Sequence, residues 1–153
     1  MKKELLVAGL GNLLMSDEGI GVHILNGLLH DRDKYPFAEF IDGGTGGINL
    51  LHLISNRKKV IIIDCAYMNT RPGTIKRFVP KKAESVKKLA CQSLHEADIL
   101  KIIEMSARLG ECPQEIIIFG IEPEVIEPGP EVSKKLEEKM GYYISEISKD
   151  IRL

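Results

Sequence analysis

The sequence predicts an α/β fold, a sandwich with helices packed around a mainly parallel sheet of about five strands. Three observations carry that expectation. Residues 58–64 (KKVIIID) and 114–120 (QEIIIFG) are short runs rich in Ile, bounded by polar residues and without alternation. Strands buried on both faces, as in a parallel sheet covered by helices, require such runs. Between the apolar runs lie segments whose apolar residues recur at helical spacing. The resulting order, β-α-β-α-β-β-α-β-α, is that of crossover units, which pair their strands in parallel with right-handed connections.

Taken in order, residues 4–10 (ELLVAGL) form the first strand, which runs into a Gly-Leu-Gly turn. Residues 18–30 place Ile20, Ile24, Leu25 and Leu28 on one helical face. Residues 37–42 (FAEFID) make a weaker strand and 47–55 (GINLLHLIS) a short helix. The third strand is 58–64. Residues 73–79 (GTIKRFV) alternate better, with Ile75 and Phe78 directed inward, and suit an edge strand. A helix over 94–109 aligns Ile99, Ile102, Ile103 and Ser106, and 114–120 is the last strand. Val132, Leu136, Met140, Tyr143, Ile147 and Ile151 then repeat at intervals of four and three, predicting one amphipathic C-terminal helix. The stretch from Pro80 to Gln92 carries Lys81, Lys82, Lys87 and Lys88 without a clear period and reads as a solvated loop.

Composition narrows the function. The 153 residues fit one domain, 1–153. Lys and Arg total 21 against 22 Asp and Glu, a formal net charge of -1, which disfavours a nucleic-acid partner, since such binding rests on a positive face. No apolar run approaches the roughly 18–20 residues that span a bilayer. Glu4 interrupts the apolar stretch that follows the two N-terminal lysines, so a first strand is expected there and not a signal peptide. The three cysteines, Cys65, Cys91 and Cys112, are odd in number and widely spaced. That argues against a disulfide framework or a cysteine-rich zinc site and fits a reducing cytoplasm. A monomer is expected.

In open α/β sheets, ligands bind beyond the carboxyl ends of the strands. That rim collects Gly9-Leu10-Gly11-Asn12, Ser16-Asp17-Glu18-Gly19, Asp42-Gly43-Gly44-Thr45-Gly46-Gly47, Asp64, and the helix start Ser93-Leu94-His95-Glu96. Gly9 and Gly11 resemble part of a dinucleotide fingerprint, but its third glycine would fall at Leu14. A tight turn or a close backbone approach is the plainer reading. Asp17 and Glu18 suit the positive end of a helix. Asp64 closes a buried strand, where a carboxylate is costly unless paired, hydrogen-bonded or metal-bound; a turn cap is its plain alternative. His95 lies in the first turn of a helix that a Ser93–Glu96 capping box opens, whereas His23, His30 and His52 read as filler. Glu18, Asp64 and His95 together offer oxygen and nitrogen donors for a divalent ion such as Zn, Ni, Mn or Fe. Neither G-x-S-x-G nor H-E-x-x-H occurs, so serine hydrolase and zincin chemistry lack support.

The blocks GLGNLLMSDEGIGVHIL, FIDGGTGGINLL, VIIIDCAYM, SLHEADIL and FGIEPEVIEPGPEVS, in this order, resemble the hydrogenase maturation endopeptidases. The resemblance covers nearly the whole chain, and G-x-G-N-x-L-x-x-D-[DE]-G-x-G is its strongest element. It implies a three-layer α/β/α sandwich around a twisted sheet. It also implies removal of the C-terminal tail of a nickel-iron hydrogenase large-subunit precursor after nickel insertion. The implied catalytic and metal-binding residues are Glu18, Asp64 and His95, and Asp42, Gly43, Gly44 and Thr45 are the implied substrate-binding turn. The nickel would be carried by the precursor, and a divalent surrogate could occupy the site in isolation. Cleavage after a basic residue or histidine of the substrate is implied as well. Two routes to an activated water stay open: a carboxylate as general base, or metal polarisation of the carbonyl or of the water. Cys65 reads as packing. The alternatives from other classes are a nucleotide-binding Rossmann-like domain and a catalytically silent metal-binding protein.

Overall fold

The structure is a computed structural model that describes residues 2–80 and 96–153. Five strands form one sheet: β1 (Leu5–Gly9), β2 (Ala38–Asp42), β3 (Lys59–Cys65), β4 (Ile75–Phe78) and β5 (Glu115–Ile121). Their spatial order is β2-β1-β3-β5-β4. β2, β1, β3 and β5 are parallel, and β4 closes one edge antiparallel to β5. The register brings Gly9 opposite both Asp42 and Ile63, and Asp64 opposite Gly120.

The helices are α1 (Ile20–Leu29), α2 (Ile48–Ile54), α3 (Glu96–Arg108), α4 (Lys134–Glu138) and α5 (Met140–Ser148), with 3-10 turns at Ser16–Gly19 and Arg32–Lys34. Alternate residues of each central strand feed opposite cores. Leu5, Val7, Ile61, Ile63, Ile117 and Phe119 pack with α1 and with Leu136, Tyr143 and Ile147 of the C-terminal helices. Leu6, Ala8, Val60, Ile62, Ile116 and Ile118 pack with Leu50, Leu51 and Ile54 of α2 and Ile99, Ile102 and Ile103 of α3. Both faces are therefore dry, which explains runs that are apolar without alternation. Each such Leu, Val or Ile contributes about 1.5–3 kcal/mol by leaving water. Three layers result, as expected.

Two departures from expectation concern the helices. The first helix is preceded by a separate 3-10 turn rather than starting at residue 18. The C-terminal segment is two helices rather than one, broken at Lys139 (φ -93°, ψ 0°). There the backbone tightens, with Lys139 N–H donating to the Leu136 carbonyl at 3.1 Å, and Val132 and Ile151 lie outside the helices. The buried residues still fall on one side, since Leu136, Tyr143, Ile147 and Ile151 share a core. In β4, Ile75 and Phe78 are both half-buried but serve opposite cores, as a three-residue separation on a strand requires. The Pro80–Gln92 loop, apart from Pro80, and the Ser93–Glu96 box, apart from the backbone of Glu96, lie outside the described residues.

Arg77 of β4 grips Asp150 through two hydrogen bonds, of 2.8 and 3.0 Å, which ties the edge strand to the chain's end. Tyr143, fully buried, donates its hydroxyl to the Gly73 carbonyl at 2.6 Å and so fixes the turn that enters β4. No described helix is long and apolar enough to cross a membrane.

Candidate active site at the carboxyl rim

The chain leaves β1 toward one edge of the sheet, to β2, and reaches the other edge through β3, β5 and β4. The direction reverses between β1 and β3, and the crevice outside their carboxyl ends is where ligands of such sheets bind. The 3-10 turn that carries Glu18 packs on β3, whose end carries Asp64, and the charges of both carboxylates reach Cys65. Glu18 lies half-buried in that turn. Asp64 is 2% exposed, next to last in β3, and its Oδ1 accepts the Cys65 N–H at 2.8 Å.

The glycines of the first block make this approach possible. A Cβ on Gly21 would stand 2.2 Å from the Ile63 carbonyl oxygen and 2.3 Å from that of Leu10. A Cβ on Gly11, whose φ is +142°, would stand 2.1 Å from the Glu18 carbonyl oxygen. The glycines are thus filled by the chain's own backbone. α1 also begins at Ile20, well after Gly9. Neither feature suits a dinucleotide fingerprint, in which the glycines admit a pyrophosphate and open the helix directly.

The turn after β2 is strapped to the same place. Gly43 N–H donates to the Gly9 carbonyl at 2.9 Å, and Gly11 N–H donates to that of Gly44 at 2.7 Å. Asp42, exposed, accepts the Gly44 N–H at 2.8 Å, which builds an Asx turn. Asp42, Gly43, Gly44 and Thr45 therefore border the crevice beside β1. His95 lies outside the described residues. Among the described residues no group of three or more His, Cys, Asp and Glu side chains is placed to hold a metal ion. Of the three residues expected to act together, Glu18 and Asp64 are the two among the described residues.

Two carboxylates that sequence reasoning did not single out for this work organise the rim. Asp17 is fully buried. Its Oδ2 accepts N–H groups of Glu124 and Val125 at 2.9 Å each and the Ser133 hydroxyl at 2.8 Å, and its Oδ1 accepts the Ser133 N–H at 2.6 Å. The helix-dipole reading of Asp17 understated its role: the residue fastens the 3-10 turn to the segment after β5. Ser16 reinforces the junction, donating its N–H to the Gly129 carbonyl and its hydroxyl to that of Glu127. A groove of about 450 Å³ runs along this junction, lined by Ser16, Val125, Glu127, Gly129, Glu131 and Ser133. Glu122, 5% exposed, accepts N–H groups of Met68 and Thr70 and the Thr70 hydroxyl. The sequence signal for both was an acidic residue inside a quoted block, Asp17 beside Glu18 and Glu122 in FGIEPE. Only the fold reveals the N–H groups facing them.

The electrostatics argue against a thiol nucleophile. Burial pushes the Cys65 thiol far up, and the charges of Asp64, Asp17, Glu18 and Glu122 add to the effect. It stays protonated, as its reading as packing requires. Tyr67 is likewise held in its neutral form, by burial first and then by Cys65, Glu122 and Glu18.

The fold and this rim define a doubly wound α/β protein with an acidic site at its switch point. The chain belongs to the hydrogenase maturation protease family, whose family model matches residues 22–150. It is 35% identical over 127 residues to the hydrogenase 2 maturation protease of Escherichia coli K12, covering 81% of this chain and 76% of that protein. It is 30% identical over 120 residues to the hydrogenase expression/formation protein HupD of Thiocapsa roseopersicina, covering 78% of this chain and 54% of HupD. The chain thus spans a little over half the length of HupD and of several other relatives it matches. Among solved structures, the hydrogenase maturating endopeptidase HybD from E. coli superposes with a TM-score of 0.81 at 28% identity, covering 96% of this chain and 90% of that one.

Proposed function

We propose that this chain is an endopeptidase that removes the C-terminal tail of a nickel-iron hydrogenase large-subunit precursor once nickel has been inserted. What supports the reading is a buried Asp64 at the carboxyl end of β3, beside the 3-10 turn that carries Glu18, in a chain of this family. Nickel is part of the substrate. Two carboxylates and the imidazole of His95 form a hard-to-borderline donor set that suits such an ion. Glu18, Asp64 and His95 would grasp the precursor's nickel and so place the scissile bond at the rim. Asp42, Gly43, Gly44 and Thr45 would offer backbone and carboxylate groups to the incoming chain. Attack is by water, since Cys65 is protonated and enclosed. A carboxylate of the site takes the proton as general base, and the ion polarises the scissile carbonyl when bound. The protein acts as a monomer in the cytoplasm.

The test is processing of purified candidate precursors, nickel-loaded and nickel-free, read by intact mass. Loss of the tail mass from the loaded form alone is expected, followed by loss of that activity in His95→Ala with little change in melting temperature. Full cleavage by His95→Ala, or equal cleavage of nickel-free precursor, would overturn the site. The protein should also be largely metal-free as purified; stoichiometric tightly held zinc would point to a resident ion instead.

A further inference from the structure

We propose that Tyr67 is a substrate-contacting residue, presented at the rim by Glu122 so that its phenol lies against the polypeptide entering the Glu18–Asp64 site. This rests on the proposed peptidase reading and adds a recognition element to it.

The first ground is placement. Tyr67 follows Asp64 by three residues, on the segment that leaves the carboxyl end of β3. It is a large aromatic side chain at 42% exposure. Its neighbours turn the other way: Ala66 is 4% and Met68 7% exposed. Both pack over Gly120, where an added Cβ would stand 3.0 Å from Ala66 Cβ and 3.1 Å from Met68 Sδ. The alternation turns Tyr67 outward between two buried neighbours.

The second ground is rigidity. Ala66 N–H donates to the Ile121 carbonyl at 2.9 Å. Met68 N–H donates to Glu122 Oε1 at 2.8 Å, and Thr70 adds its N–H at 3.0 Å and its hydroxyl at 3.1 Å. A buried carboxylate is costly, and Glu122 is committed to holding these few residues in place. A loop with no task other than connecting β3 to β4 does not need such an anchor. An exposed aromatic on a pinned backbone contributes contact area at little cost in ordering, since only its own two side-chain torsions remain to be fixed.

The third ground is chemistry. The phenol stands within the fields of Glu18 and Glu122 and keeps its proton, so it is a hydrogen-bond donor with an apolar face. That combination fits an extended peptide: the ring covers a side chain or peptide plane, and the hydroxyl donates to a main-chain carbonyl.

The experiment uses the full chain and a nickel-loaded hydrogenase large-subunit precursor, with cleavage followed by intact mass and binding followed separately by fluorescence anisotropy. Tyr67→Ala should raise KM and weaken binding about tenfold, leave kcat within about twofold, and leave the melting temperature unchanged. Tyr67→Phe should fall between wild type and Tyr67→Ala. Glu122→Ala should reproduce the KM defect with a lowered melting temperature. Glu122→Gln keeps an acceptor oxygen for Met68 and Thr70 and should restore KM. Wild-type KM and wild-type binding in Tyr67→Ala would overturn the inference, as would a defect confined to kcat. If the wild-type chain binds the precursor but does not cut it, the peptidase reading fails while the binding defect of Tyr67→Ala still decides the role of Tyr67.

Discussion

Cys65 adjoins Asp64, and burial and four nearby negative charges oppose its ionisation. Cys65→Ala should therefore keep precursor processing within about threefold of wild type, by the rule that volume-conserving core changes are mild. A complete loss of cleavage with retained fold would restore the thiol as nucleophile. Tyr143 gives a second test at this scale. Burial, and next the charge of Asp17, raise its hydroxyl from 10.0 to about 12. The folded state thus holds this proton more tightly than the unfolded chain. The stability it contributes is complete below pH 10 and is lost as pH climbs from 10 to about 12. Tyr143→Phe should flatten that alkaline limb and cost about 1–2 kcal/mol at neutral pH, because the Gly73 carbonyl loses a donor; urea unfolding at pH 7 and pH 11 measures both. At this scale the burial of Asp64 was legible in the sequence, since a carboxylate at the end of an apolar strand is conspicuous. The sequence hid Asp17 and Glu122, whose donors lie 107 to 116 and 52 to 54 residues away.

Among the elements, the three central strands were readable because both of their faces are apolar, and the bounds of all five agree with expectation within one or two residues. The 3-10 turn was not readable as a separate unit. Its residues continue the helical spacing of Ile20 and Ile24, and only the backbone contacts of Gly11, Gly19 and Gly21 distinguish it. The break at Lys139 was equally silent, because the apolar period passes through it. The joint between β1, the 3-10 turn and α1 depends on missing side chains. Gly21→Ala forces a methyl between two backbone carbonyls. We expect destabilisation of roughly 2–3 kcal/mol, in the range of core overpacking, or a melting temperature lower by about 4–12 °C for a chain of this size. Under the proposed function, processing should fall further than stability does, since the turn that carries Glu18 is displaced from β3. A variant as stable and active as wild type would show that the approach is not required.

For the whole molecule, the class of fold followed from the alternation of elements, while the strand order did not. Nothing in the local pattern says that β5 lies inside β4, although the alternating character of 73–79 placed that strand at an edge. The order matters because it sets the reversal between β1 and β3 and hence the position of the site. Asp17 then joins the two ends of the fold, and Asp17→Asn tests that junction. An amide in its place turns an N–H₂ toward at least one donor. The expected cost is about 3 kcal/mol, as for a buried charge-assisted bond replaced by a mismatch, with cleavage reduced in parallel; an unaffected melting temperature would argue against the clamp.

The same clamp bears on when a newly made chain becomes active. Asp17 and its partner Ser133 are 116 residues apart in the chain. Until Ser133 emerges, Asp17 lacks two of its four side-chain hydrogen bonds, and a contact of such sequence separation forms late. A chain ending before residue 133 should therefore hold the turn that carries Glu18 less firmly, read as weaker protection of its amides against hydrogen exchange. Competence for the proposed cleavage would then come only after residue 133 has been made.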